Sequence, residues 1–265
     1  MTDNNRRWAL ILGASSGFGA ATATALAQAG YNIFGVHLDR RSTMPQVEAI
    51  KDSIVAAGGE AVFFNVNAAD AEKRAEVIKH IRQRLAAGKT VRVFMHSLAF
   101  GTLLPFNATA ELPAVNPAQV AMTLDVMASS LIYWVQELVA ADLLGAGSKI
   151  YAMTSAGGAR VMPQYGAVSA AKAALESNIR QLAMELAPRG IAANSIRAGV
   201  TDTPALRRIP GHERFVEMAN AMNPSGRLTT PEDVAAHIVL FSSIDSHWMT
   251  GNVLGVDGGE DIVGA

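Results

Sequence analysis

Tyr165 and Lys172 stand in the run Pro-Gln-Tyr-Gly-Ala-Val-Ser-Ala-Ala-Lys-Ala-Ala-Leu-Glu, which reads as the start of a buried helix. About two turns separate them, so they share a helix face. An ammonium beside a phenol favours the phenolate, which lowers the tyrosine pKa and makes it a better proton donor near neutrality. Taken alone, the pair reads as well as a surface tyrosine and an unrelated helix lysine. The other end of the chain decides between the two readings.

There, Gly13-Ala-Ser15-Ser16-Gly17-Phe18-Gly19 follows an apolar run and opens a helical one. Glycines let the backbone turn tightly and approach a pyrophosphate, which the N–H groups of a helix start attract. A glycine cluster alone is a weak signal, but strand before and helix after make the nucleotide reading the stronger. Enzymes using NAD place an acidic side chain at the end of the second strand, for the ribose 2′-OH. That position is His37, with Asp39 two residues on and Arg40 and Arg41 directly after it. Two guanidiniums suit a 2′-phosphate, so NADPH is the expected cofactor, with NADH possible if Asp39 turns inward. Asn65, closing the third strand, is a candidate for the adenine edge or a plain turn residue.

These groups need a scaffold, and the pattern supplies one. Expected strands are Trp8–Leu12, Tyr31–His37, Ala61–Asn65, Val91–Met95, Lys149–Met153, Ile191–Ile196 and Val253–Val256. Expected helices are Phe18–Ala29, Pro45–Ala57, Ala71–Ala86, Pro117–Ala140, Gln164–Leu186 and Pro231–Phe241. The strands are too apolar for a sheet with one wet face. Alternation with helices implies an α/β Rossmann fold, a doubly wound parallel sheet of seven strands with helices on both faces. One domain over 1–265 is expected, its dinucleotide half about 1–150 and its catalytic and substrate-loop half about 151–265. The longest irregular region, Gly199 to Arg227, reads as a lid or binding loop.

Bulk properties narrow the function. A net charge of −1 and 17% charged residues argue against a nucleic-acid or membrane-surface protein. No cysteine is present, which excludes disulfides and fits a reducing compartment. The apolar run Trp8–Leu12 is too short for a secretory segment, and no stretch approaches the roughly 20 apolar residues of a membrane span. A cytoplasmic protein is expected. His80, His212, His237 and His247 show no ligand spacing, and no metal is assigned.

With the glycine motif at one end and Tyr165 and Lys172 at the other, the chain resembles the short-chain dehydrogenase/reductase superfamily over nearly its full length. Val256-Asp257-Gly258-Gly259 and Ala198-Gly199-Val200-Thr201-Asp202-Thr203 are similar to that superfamily's later segments. The resemblance implies that Ser155 and Lys172 are catalytic and that Lys172 also binds the nicotinamide ribose. It further implies cofactor contacts from Val66, Ser97, Leu98, Ala99, Val200 and Thr203. Ser155 is otherwise a serine bonding local backbone at a strand end.

One departure is informative. Ketone and alcohol enzymes of the superfamily carry tyrosine four residues before the lysine, which here is Val168. The nearest phenol is Tyr165, giving a Tyr-x6-Lys spacing similar to the enoyl-acyl carrier protein reductases. His96-Ser97-Leu98-Ala99-Phe100 is similar to their His-Ser run, and Asp125 stands near the active-site asparagine of carbonyl reducers. In a ketone, charge appears on an oxygen one bond from the carbon that takes hydride. In a 2-enoyl thioester it appears on the thioester oxygen, two carbons beyond that carbon. A donor set back by three residues moves about 4.5 Å along a helix axis, toward the place where charge develops.

The resemblance thus implies NADPH-dependent reduction of a trans-2-enoyl thioester, carried on acyl carrier protein in fatty-acid elongation, with Tyr165 stabilising the enolate. A homotetramer is implied the same way. Leu206, Ile209, Phe215 and Met218 would wall an acyl chain, as would Phe100, Met153 and Met162. Arg207, Arg208 and Arg214 would meet the carrier. Two alternatives stand beside this. One is a short-chain carbonyl reductase or alcohol dehydrogenase, such as a 3-ketoacyl reductase, whose tyrosine has drifted. The other is a nucleotide-binding protein without catalysis.

Overall fold

The computed structural model describes residues 6–263. Seven strands, β1 (Arg7–Leu12), β2 (Tyr31–His37), β3 (Ala61–Asn65), β4 (Val91–His96), β5 (Lys149–Thr154), β6 (Ala192–Ala198) and β7 (Val253–Val256), form one sheet in the order β3-β2-β1-β4-β5-β6-β7. Every neighbouring pair is parallel. The order reverses between β1 and β4, and this is where open α/β sheets leave a crevice at the strands' carboxyl ends.

The central strands are buried on both faces, as their unbroken apolar runs require. Alternate residues feed two cores. One face meets α1 (Gly17–Gln28), α2 (Met44–Ala56) and α8 (Pro231–Ser243) through Ile11, Ile33, Met95, Tyr151, Leu26, Ile54 and Ile238. The other meets α3 (Ala71–Arg84), α4 (Pro117–Leu124), α5 (Ser130–Ala140) and α6 (Gly166–Leu186) through Leu10, Phe34, Phe94, Ile150, Ile81, Trp134 and Leu175.

Helix starts follow local chemistry. Asp70 caps α3, while Asn116 with Gln119 and Thr230 with Asp233 form reciprocal capping boxes on α4 and α8. At α1 the N-cap Ser16 makes no side-chain cap bond and no acid follows in the first turn.

Two expectations are corrected and one is made specific. The run Pro117–Ala140 is not one α-helix: a π turn over Asp125–Ser129 separates α4 from α5. Taken whole, it is long and apolar enough by length and composition to cross a membrane, contrary to the sequence reading. Here its α5 residues Leu131, Trp134, Val135 and Leu138 are buried in the core of the sheet. Second, the region Gly199 to Arg227, read as a lid or binding loop, is built from short helical pieces: a 3-10 turn at Leu206–Arg208 and α7 (His212–Met222). Third, α6 begins at Gly166, not Gln164. Gln164 has φ 60°, a left-handed backbone that a helix cannot continue, and Tyr165 is the N-cap.

Candidate active site

The glycine loop joins β1 to α1 and packs against two other loops. Gly13 has φ 84°, and a Cβ there would run into the Ser97 carbonyl just after β4. A Cβ at Gly19 would strike the Gly13 carbonyl, so the helix start and the strand end touch backbone to backbone. Gly17 lies against Thr203, which brings the loop after β6 to the same place. Ser97 N–H donates to Leu12 O (3.0 Å), fixing the β4 end beside the loop. Phe18 packs into the core beneath. The uncapped start of α1 leaves its first N–H groups facing the crevice, a natural anion site.

At the end of β2, Asp39 turns inward. Its Oδ2 lies 3.0 Å from His37 Nδ1, and its Oδ1 accepts from Thr43 Oγ1 at 2.7 Å. Burial lifts the Asp39 carboxyl, but hydrogen bonds from Ser15, Thr43 and His37 outweigh it and hold the pKa below the usual value. A carboxylate therefore stands against the glycine loop, where a ribose hydroxyl would be met. Arg40 and Arg41 are exposed.

His37 is buried behind Asp39 and fastens it, so the acidic group at this strand end is Asp39. Asn65 spends its amide on Asp39, accepting from its N–H at 2.9 Å and donating to its carbonyl at 3.0 Å. These two bonds hold the turn that carries Asp39. Val66 N–H donates to His37 O at 2.8 Å and clamps the same turn.

Ser155, Tyr165 and Lys172 do converge, at the carboxyl end of β5. Ser155 caps a 3-10 turn by accepting from Gly157 N–H at 3.1 Å. Its hydroxyl also stands near enough to the phenol of Tyr165, which is 7% exposed, to draw the phenol pKa down. Lys172 is buried and donates to Met153 O at 2.7 Å. Burial lowers it to about 8, with Glu176 one turn on opposing the shift.

The expected effect of lysine on tyrosine is not what the geometry gives. Burial raises the Tyr165 pKa and the bond with Ser155 draws it partly back. The phenol is thus kept protonated, a donor by desolvation. Val168, where a carbonyl reducer would carry its acid, is sunk in the core.

A model of the family described as enoyl-(acyl carrier protein) reductase matches residues 13–260. The chain belongs to that family of short-chain dehydrogenases/reductases. As an enoyl-reductase family member it is an oxidoreductase that uses a nicotinamide dinucleotide. It is 32% identical over 190 residues to the enoyl-acyl-carrier-protein reductase (NADH) FabI of Aquifex aeolicus, covering 71% of this chain and 69% of that one. It is 30% identical over 257 residues to the cyclohexanol dehydrogenase of an Acinetobacter strain, covering 96% and 94%. The crystal structure of the enoyl-acyl-carrier-protein reductase (NADH) from Aquifex aeolicus superposes with a TM-score of 0.82 at 25% identity, covering 98% of both chains.

The residues present in this reductase fit such a dinucleotide: close-approach glycines, an uncapped helix start and an inward carboxylate at the end of β2. Lining groups behave less uniformly. Leu98 packs onto the core, while Ala99 and Phe100 are exposed. Thr203 Oγ1 accepts from Leu206 N–H at 3.2 Å. Val200 N–H donates to Glu260 at 3.0 Å, so the C-terminal turn is stapled to the loop after β6. Leu206, Ile209 and Phe215 are half-buried and Met218 is exposed; Arg207 is paired with Asp202.

Sequence reasoning missed three partners. Glu176 accepts from Thr154 Oγ1 at 2.6 Å and is four residues from Lys172, so helical spacing was the available signal. Asp261 bridges Arg160 and Arg197 at 2.7 Å each, with no local signal at all. Ser130, directly after the π turn, lies 2.8 Å from His96 Nε2 through its hydroxyl.

Proposed function

We propose that the protein reduces the C2=C3 double bond of a trans-2-enoyl thioester carried on acyl carrier protein, in fatty-acid elongation. The single observation behind this reading is the placement of the acid. The phenol on the Lys172 helix is Tyr165, at its N-cap next to Ser155, and the position three residues nearer Lys172 in sequence is a core valine. When bound, the dinucleotide supplies a hydride to C3. Tyr165 then donates its O–H to the thioester oxygen, where negative charge gathers, an interaction that strengthens toward the transition state. Ser155 orients the phenol. Lys172, anchored on Met153 O, keeps a positive charge in the same buried corner.

The cofactor is NADH in this reading. Asp39 is already ionised and held by His37 and Thr43 with Ser15 nearby, so a ribose 2′-OH finds an acceptor and a 2′-phosphate finds repulsion. This reverses the preference suggested by Arg40 and Arg41, which stand outside that cluster.

The chain assembles with further copies of itself, as a homotetramer. β7 is the edge of the sheet, only four residues long, with the exposed Trp248, Met249 and Val253 beside it. Arg208 and Arg214, exposed on the segment after β6, are the cations offered to an acidic carrier.

Purified protein assayed on crotonyl thioester, a 3-ketoacyl thioester and cyclohexanol tests the reading. Turnover of the enoyl substrate, lost in Tyr165→Phe through kcat, is expected. Preference for cyclohexanol or the ketoacyl substrate would overturn it.

A further inference from the structure

His96 closes β4 and is completely buried, on the sheet face that packs α5 and α6. Its Nε2 lies 2.8 Å from Ser130 Oγ. That hydroxyl in turn lies 2.8 Å from the carbonyl of Val126, one turn back in the π segment. A serine hydroxyl has one proton to give. Given to the Val126 carbonyl, it leaves Ser130 as acceptor, so His96 Nε2 must carry the ring hydrogen. Nδ1 is then a bare lone pair, buried and with no hydrogen-bond partner among the described residues. Leaving an acceptor in that condition costs about 1–3 kcal/mol, and such groups call for an explanation.

A cation stands close by in the sheet register: His96 on β4 pairs with Ala152 on β5, and Lys172 donates to the carbonyl of the next residue, Met153. Burial first, and the lysine charge second, push His96 down to about 3. The imidazole is therefore neutral whenever the lysine is charged, and its lone pair attracts an ammonium. Lys172 has three N–H donors, of which one is given to Met153 O.

We propose that His96 is a positioning residue for Lys172: locked as the Nε2–H tautomer by Ser130, it offers Nδ1 to the lysine ammonium through one water. The π turn acquires a task on this account, because its Val126 carbonyl sets the hydroxyl that sets the tautomer that holds the lysine. The inference rests on Lys172 being a reaction-site group, as proposed above; the tautomer itself does not.

Two substitutions separate the ring's two ends. His96→Asn keeps a polar atom near Nδ1 and loses the reach to Ser130; His96→Gln keeps the reach to Ser130 and loses Nδ1. Turnover of crotonyl thioester with NADH should fall about tenfold or more in His96→Gln, while His96→Asn stays within about threefold of the parent. The opposite ranking, or equal losses tracking melting temperature, overturns the proposal. NMR of the imidazole nitrogens in the unaltered protein, with His96 assigned by its absence in His96→Asn, should show the hydrogen on Nε2. Finding it on Nδ1 overturns the proposal whatever the substrate proves to be.

Discussion

Gly157 and Tyr165 touch: a Cβ placed on the glycine would lie 2.5 Å from Tyr165 Cε1 and equally near the Met162 methyl. The turn capped by Ser155 thus lays bare backbone against the phenol ring, and the ring's position depends on it. Gly157→Ala should displace the phenol without touching it chemically. We expect kcat on crotonyl thioester to fall about as far as in Tyr165→Phe, roughly 10²-fold, with dinucleotide affinity unchanged. Near-parent turnover would show that the ring has room to move.

Lys172 predicts opposite pH trends in activity and stability. Its folded-state pKa is about 8, against an ordinary 10.5. As pH rises through about 8 the ammonium is lost, and turnover should decline along a limb that Lys172→Met abolishes. Between the two values the unfolded chain binds more protons than the folded one. This group's contribution therefore makes the protein more stable as pH rises across that window. Denaturant titrations of parent and Lys172→Met at pH values on either side of 8 measure the difference.

Asp39 sets the choice of dinucleotide. Asp39→Ser removes the charge that repels a 2′-phosphate and leaves Arg40 and Arg41 in place. Affinity for NADPH should rise about tenfold or more relative to NADH, read by fluorescence titration of each cofactor. An unchanged ratio would remove Asp39 from that role.

Val168→Tyr restores the ketone enzymes' spacing in sequence but not in space. The Val168 side chain faces Gly101 across a packed seam. The larger ring should cost about 1–3 kcal/mol of stability by overpacking, seen in chemical denaturation. No ketone reduction should appear. Acquired activity on cyclohexanone would mean that the helix start is more adaptable than the packing suggests.

Much was legible in the residues themselves. Apolar runs buried on two faces and glycines at a strand-to-helix junction depend on local chemistry, so the sheet and the helix on the glycine loop followed from sequence. Position in space did not. Whether Asp39 faced in or out depended on local bonds to His37 and Thr43 in its own turn and on Ser15, which comes near only when β2 packs beside β1. Asn65 read equally as a ligand contact or a turn residue, and its amide meets both backbone groups of Asp39. The tyrosine pKa moved up, not down, because desolvation is a property of the assembled core and outweighs any local bond. Residue types and their periodicity determined which groups could react; long-range packing decided which of them are charged, buried and within reach.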